Sequence, residues 1–203
     1  MALFLKIDPG KPDEEKLAEA VRILVEGGVA AFPTETFYGL GADARNEAAV
    51  EKIFRIKGRD FRNPIALIVA DDREVSPLVE EIPAAAKILM QTFWPGPLTL
   101  IFRAAPSVSS RLTGGTGKIG IRVSSHPIAR LLAAGLAGPL TATSANLSGG
   151  PECSSADAVT GGAGSTILDV TVSPPRILRE GAIPGGLIRD ALNLTQGQPS
   201  REI

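Results

Sequence analysis

The sequence predicts an α/β domain built on a mixed β-sheet flanked by helices, and three observations carry that expectation. Short apolar runs alternate with amphipathic helical stretches along the chain, the pattern of strands and covering helices around one core. Several connections, such as the one within 98–123, carry no obvious helix, so the strands cannot all be parallel. At 203 residues, with 44% hydrophobic and 21% charged side chains, the chain suits a single domain spanning 1–203 with a substantial core. No internal repeat or linker interrupts it.

Residues 12–26 read as an amphipathic helix, with Pro12 near its first turn, acids at Asp13 to Glu15, and Leu17, Val21, Leu24 and Val25 on one face. The run 29–32, bounded by Gly27-Gly28 and Pro33, fits a fully buried strand. Gly39 and Gly41 mark a Gly-spaced loop. From Asn46, a plausible N-cap, Val50, Ile53, Phe54 and Ile56 give a helical stripe that ends at Gly58. A strand is expected over 65–70, turns at Asp71-Asp72 and Pro77, and a helix over 83–93 broken by WPGP at 94–97. Strands follow at 98–102 and 118–123, separated by the polar RLTGGTG loop at 111–117. A short helix over 127–134, strands at 140–143, 165–170 and 176–179, and a terminal helix opened near Pro184 complete the pattern, with a polar tail after it.

Composition excludes several classes of function. A lone cysteine, Cys153, cannot form an internal disulfide framework, and with one histidine, His126, there is no His/Cys cluster for zinc. The net charge of −1 is unlike the strongly basic face of a protein that coats nucleic acid, although a local basic cleft fits it. No apolar stretch approaches the ~20 residues of a membrane span, and the first residues lack the cationic region of a signal peptide. A reducing, cytoplasmic setting and no membrane partner are expected.

In open α/β sheets, ligands sit beyond the carboxyl ends of strands. After the run 29–32 stand Thr34, Glu35, Thr36 and Tyr38, all able to hydrogen-bond. The next helix exits through Lys52, Arg55, Lys57, Arg59 and Arg62, with no acid between Glu51 and Asp60. Cations in a last helical turn also complement the helix dipole, so residue types alone leave structural and ligand-binding readings open. Position favours a ligand, because the exit is followed by another apolar strand that would aim Lys57 and Arg59 at the same sheet edge. By residue type alone, Ser144 and Asn146 favour a turn or N-cap. They too follow an apolar strand, so the two strand ends could face one ligand.

PTETFYGLG at 33–41, KGR at 57–59, GIRV at 120–123 and SANLSG at 144–149, in this order and spacing, resemble the motif set of the YrdC family, the threonylcarbamoyl-AMP synthases. The resemblance covers nearly the whole chain and implies a twisted mixed sheet with flanking helices and a concave cationic cleft. It also implies an enzyme, a nucleotidyltransferase joining L-threonine, bicarbonate and ATP into threonylcarbamoyl-AMP with release of pyrophosphate. The product would serve N6-threonylcarbamoyladenosine formation in tRNA through downstream modifying proteins, with weak or indirect tRNA contact. Carried across by position, Lys57 and Arg59 are the catalytic residues. ATP is held by Lys57, Arg59, Asn63, Ser144, Asn146 and Arg179, and threonine by Thr36, Arg122 and Ser165. Mg²⁺ is expected with ATP, but no carboxylate cluster is dedicated to it. Longer family members carry a further C-terminal domain, which a chain of this length is not expected to include.

The sequence departs from the family twice. Ile68 stands where many members have a histidine, and Lys118 where many have a threonine. His126 is expected to cap the next helix and Cys153 to be an ordinary small residue. Two other classes compete. One is an RNA-binding module acting in translation or ribosome maturation, and the other is a carbamoyl-transfer domain of hydrogenase-maturation proteins. The near-neutral charge disfavours the first; the absence of accessory zinc-finger or acylphosphatase regions disfavours the second.

Overall fold

The computed structural model describes residues 3–145 and 164–196. Asp13 opens α1 (Glu14–Val25) by accepting from the Lys16 N–H, and Asn46 opens α2 (Glu47–Lys57) by accepting from that of Ala49. The remaining helices are α3 (Ala84–Phe93), the four-residue α4 (Ser110–Thr113), α5 (Pro127–Leu136) and α6 (Gly185–Gln196). His126 caps α5, its Nδ1 accepting from the Ile128 N–H. Among the described residues, no helix is long and apolar enough to cross a membrane.

Among the described residues, eight strands form one sheet: β1 (Ala30–Phe32), β2 (Gly39–Gly41), β3 (Ala66–Ile68), β4 (Leu98–Arg103), β5 (Lys118–Arg122), β6 (Leu140–Ser144), β7 (Thr166–Asp169) and β8 (Arg176–Arg179). Their order is β1-β2-β6-β3-β5-β4-β7-β8. β3 runs parallel to β5 and β4 to β7, while every other neighbouring pair is antiparallel, so the sheet is mixed.

Three of these elements differ from the sequence expectation. The run expected to be a fully buried strand is the edge strand β1, where only Phe32 is buried and Ala31 is exposed. The Gly-spaced segment is a strand, β2, between β1 and β6, rather than a loop. A Cβ at Gly41 would stand 2.2 Å from the Thr141 carbonyl oxygen and 2.7 Å from the Phe32 ring, and one at Gly39 3.1 Å from that ring. Here glycine is a packing requirement: three strands close over the fully buried Phe32. The stretch 98–123 also contains a helix, the single turn α4, capped by Ser109 and Gly114.

Strand alternation sorts the core into two layers. On one face, Val50, Ile53 and Phe54 of α2, Leu89 of α3 and Ile188 of α6 pack with Leu67, Leu100, Phe102, Ile119 and Ile121. On the other, Leu24 of α1 and Ile128, Leu132 and Leu136 of α5 pack against Phe32, Ile68 and Leu140. Each such side chain contributes about 1.5–3 kcal/mol of burial. The second layer is incomplete. Ile68 lies opposite Leu140, and Ala66, two residues earlier on the same face, lies opposite Ala142. The first pair is packed in that helical layer; the second, made of methyl groups, lines a cavity.

Candidate ligand-binding cleft

The cavity has a volume of about 220 Å³ and is floored by Ala66, Leu67, Ile68 and Ala142. Around this low floor stand the polar groups.

One wall is the turn between β1 and β2. The Thr34 hydroxyl donates to the Phe37 carbonyl at 2.6 Å and accepts from the Thr36 N–H at 3.2 Å. This local bonding replaces strand pairing and turns Thr34 and Thr36 to the cavity. The Ala145 N–H donates to Tyr38 at 2.9 Å, tying this turn to the end of β6.

Arg59 enters from α2. Gly58 is left-handed at φ 57°, its N–H donating to Arg55 and the Arg59 N–H to Phe54, a reciprocal pair of capping bonds that stops the helix and sends the next residue outward. The Arg59 guanidinium donates to Thr143 Oγ1 at 3.0 Å and to the Pro64 carbonyl at 2.9 Å. Its Nε is buried without a hydrogen-bond partner, and burial pulls its pKa below the ordinary arginine value.

At the end of β5, Arg122 is 7% exposed. Its Nη1 donates to Thr36 Oγ1 at 3.4 Å and lies 3.5 Å from Glu35 Oε1. Burial lowers its pKa, the Glu35 carboxylate opposes that shift, and the nearby Arg179 adds to it. Arg179, on β8, donates to the Ser165 carbonyl from Nε at 3.2 Å and from Nη2 at 2.9 Å. The Ser165 hydroxyl accepts from Thr99 at 3.2 Å. Three guanidiniums therefore border one small cavity.

The structure thus brings Thr36, Arg59, Arg122, Ser144, Ser165 and Arg179 together at this cavity. Lys57 lies beneath it: 3% exposed, its ammonium donates to the Ser144 carbonyl. Asn63 is exposed on the loop after Arg59 and is not among the lining residues. Asn146 lies outside the described residues, as does Cys153. Lys118 pairs with the buried Asp169 at 2.9 Å and does not line the cavity. Sequence reasoning missed Thr99 and Thr143; Thr99 is a lone hydroxyl in the apolar run LTLIFR, a signal that could have marked it, whereas Thr143 is one of three hydroxyls in LTATS and does not stand out among them. It also missed the floor, since alanines carry no chemical signal.

No three His, Cys, Asp or Glu side chains come together as metal ligands among the described residues. The carboxylate nearest the wall, Glu35, does not line the cavity and is engaged by Ser124 and Arg122. These residues do not fit a magnesium ion held by the protein itself.

Comparison with known proteins places this geometry among relatives. The Sua5/YciO/YrdC family model, described as telomere recombination, matches residues 22–162. A threonylcarbamoyl-AMP synthase of Pyrococcus abyssi is 39% identical over 189 residues, covering 85% of this chain and 56% of that protein. One from Bacillus subtilis is 38% identical over 203 residues, covering 91% of this chain and 58% of that protein. The chain therefore spans little more than half the length of these two relatives. The crystal structure of P. abyssi Sua5 complexed with L-threonine matches with a TM-score of 0.86 and 35% identity, over 95% of this chain and 64% of that one.

Proposed function

Because the chain belongs to the Sua5/YciO/YrdC family, we propose that it is a nucleotidyltransferase that forms L-threonylcarbamoyl-AMP and pyrophosphate from L-threonine, bicarbonate and ATP. The observation that carries this reading is the cavity bordered by Arg59, Arg122 and Arg179, which calls for a ligand set of several negative charges. A triphosphate and an amino-acid carboxylate supply them.

The chemistry asks for alignment and charge neutralisation more than for a protein base. Threonine's amine and bicarbonate give a carbamate and water. A carbamate oxygen attacks the α-phosphorus, the bond from that phosphorus to the bridging oxygen breaks, and pyrophosphate leaves. Arg122 takes the threonine carboxylate, with Thr36 and Ser165 beside it. Arg59 and Arg179, with Ser144, Asn146 and Asn63, take the nucleotide, and Lys57 supports the same end from below. Mg²⁺ enters on the triphosphate as part of that substrate. The threonylcarbamoyl group then passes to tRNA adenosine through other proteins, tRNA itself touching this chain weakly, in the cytoplasm.

The direct test follows pyrophosphate in the presence of all three substrates. Release is expected only when ATP, threonine and bicarbonate are present together. Phosphate in place of pyrophosphate, or turnover indifferent to bicarbonate, would reject the reaction.

A second measurement concerns the amino acid. With Ile68 in the floor, the threonine hydroxyl relies on Thr36, while the apolar floor holds the methyl. One methyl discriminates by about 1–3 kcal/mol, and loss of a bonded hydroxyl costs more. Serine should be a poor substrate and valine essentially none. Thr36→Val should shrink the threonine-over-valine ratio of kcat/KM more than the threonine-over-serine ratio; an unchanged valine ratio would show that Thr36 does not read the hydroxyl.

A further inference from the structure

The three arginines at the cavity are not equivalent. Arg59 donates to a hydroxyl and a carbonyl, and Arg179 to the carbonyl and hydroxyl of Ser165. Among the described residues, neither pairs with a carboxylate. Arg122 alone has one, Glu35, and the pair is enclosed: the two side chains are 9% and 14% exposed. Glu35 sits between Thr34 and Thr36, whose side chains line the cavity; it does not line it. Its Oε2 accepts from the hydroxyl of the fully buried Ser124, which in turn accepts from the His126 N–H at 3.2 Å. Its Oε1 has no hydrogen bond. Among the described residues, the charged or titratable groups that interact with the pair are Arg179, beside Arg122, and His126, beyond Ser124.

Both contacts of the Arg122 guanidinium are long, 3.4 Å to Thr36 and 3.5 Å to Glu35. Coulomb attraction falls slowly with distance and is strong in an enclosed site, whereas a hydrogen bond fades at such lengths. Glu35 thus offsets the charge of Arg122 without consuming its donors. An arginine so balanced suits a singly charged, flat carboxylate. The uncompensated Arg59 and Arg179 suit a polyanion.

We infer that Glu35 is a specificity-determining residue that divides the cavity into a carboxylate end at Arg122 and a phosphate end at Arg59 and Arg179. Without it, three bare guanidiniums would form one continuous polyanion site, and pyrophosphate would compete for the place of the amino acid. This inference rests on the proposed function above and adds to it the means by which two anionic substrates are kept apart.

The test is equilibrium binding of L-threonine by calorimetry, with and without millimolar pyrophosphate, on the whole chain. In the native protein, pyrophosphate should leave threonine affinity nearly unchanged. In Glu35→Gln, which keeps the shape and removes the charge, pyrophosphate should weaken apparent threonine affinity about tenfold or more, and Glu35→Asp should restore most of the difference. A carboxylate needed only for folding would lower thermal stability without creating this competition. Ser124→Ala withdraws the hydroxyl that orients Glu35 and should produce the same competition by a smaller factor, so the inference stays testable if Glu35→Gln does not fold. Threonine binding indifferent to pyrophosphate in the folded variants would overturn it. Native protein that binds pyrophosphate but no threonine would reject the amino-acid reading itself.

Discussion

Arg122→Ala is expected to lower kcat/KM for threonine by about three powers of ten, the loss of a charge-assisted carboxylate contact of ~4 kcal/mol. The KM for ATP should change little. The same substitution leaves Glu35 enclosed without its counter-charge, which costs about 3–5 kcal/mol of stability and should appear as a lower Tm. The two effects separate in the double variant Arg122→Ala/Glu35→Gln, which should regain much of the stability and none of the threonine affinity. Steady-state kinetics with a thermal melt on each variant checks both. If Arg122→Ala keeps its threonine kcat/KM, the amino-acid carboxylate binds elsewhere.

Arg59→Ala is expected to reduce turnover by about two powers of ten or more, as loss of a phosphate contact of ~3 kcal/mol requires. Here the fold should survive with little change, because Arg59 is only half-buried and its backbone, not its side chain, closes α2. Lys57→Ala should show a comparable loss of turnover together with a lower Tm, since Lys57 is buried and holds the Ser144 carbonyl. Comparing kcat at saturating substrates with the melt of each variant distinguishes the two positions. Near-normal turnover in Arg59→Ala would remove the phosphates from this cavity.

Much of this arrangement was legible in the sequence for local reasons. Asn46 and Gly58 bracket α2 because capping chemistry depends on immediate neighbours. His126 caps α5 for the same reason. Thr36, Arg122, Ser144 and Arg179 follow or end short strands of one sheet, while Arg59 leaves α2 and Ser165 opens β7 at the same edge. What was not legible depends on distant partners. Gly39 and Gly41 look like loop residues until Phe32 and Thr141 are beside them. The floor at Ala66 and Ala142 needs the register between β3 and β6. Lys57 and Arg59, two residues apart at one helix exit, differ in burial because the helix ends between them. Glu35 was one polar residue among four in a turn, and its role rests on Arg122, far along the chain.

The strand order has a kinetic consequence. β2 and β6 join residues about a hundred positions apart, and β4 and β7 others well over half that distance; such pairings must close long loops before any contact rewards them, which slows folding. The cavity borrows from the turn before β2, the exit of α2, the starts of β4 and β7 and the ends of β5, β6 and β8. No early, locally folded fragment contains two of its arginines in their final relation. Ligand binding therefore reports completion of the whole sheet, and during refolding threonine affinity should return last, after helical signal and after Trp94 packs against the core.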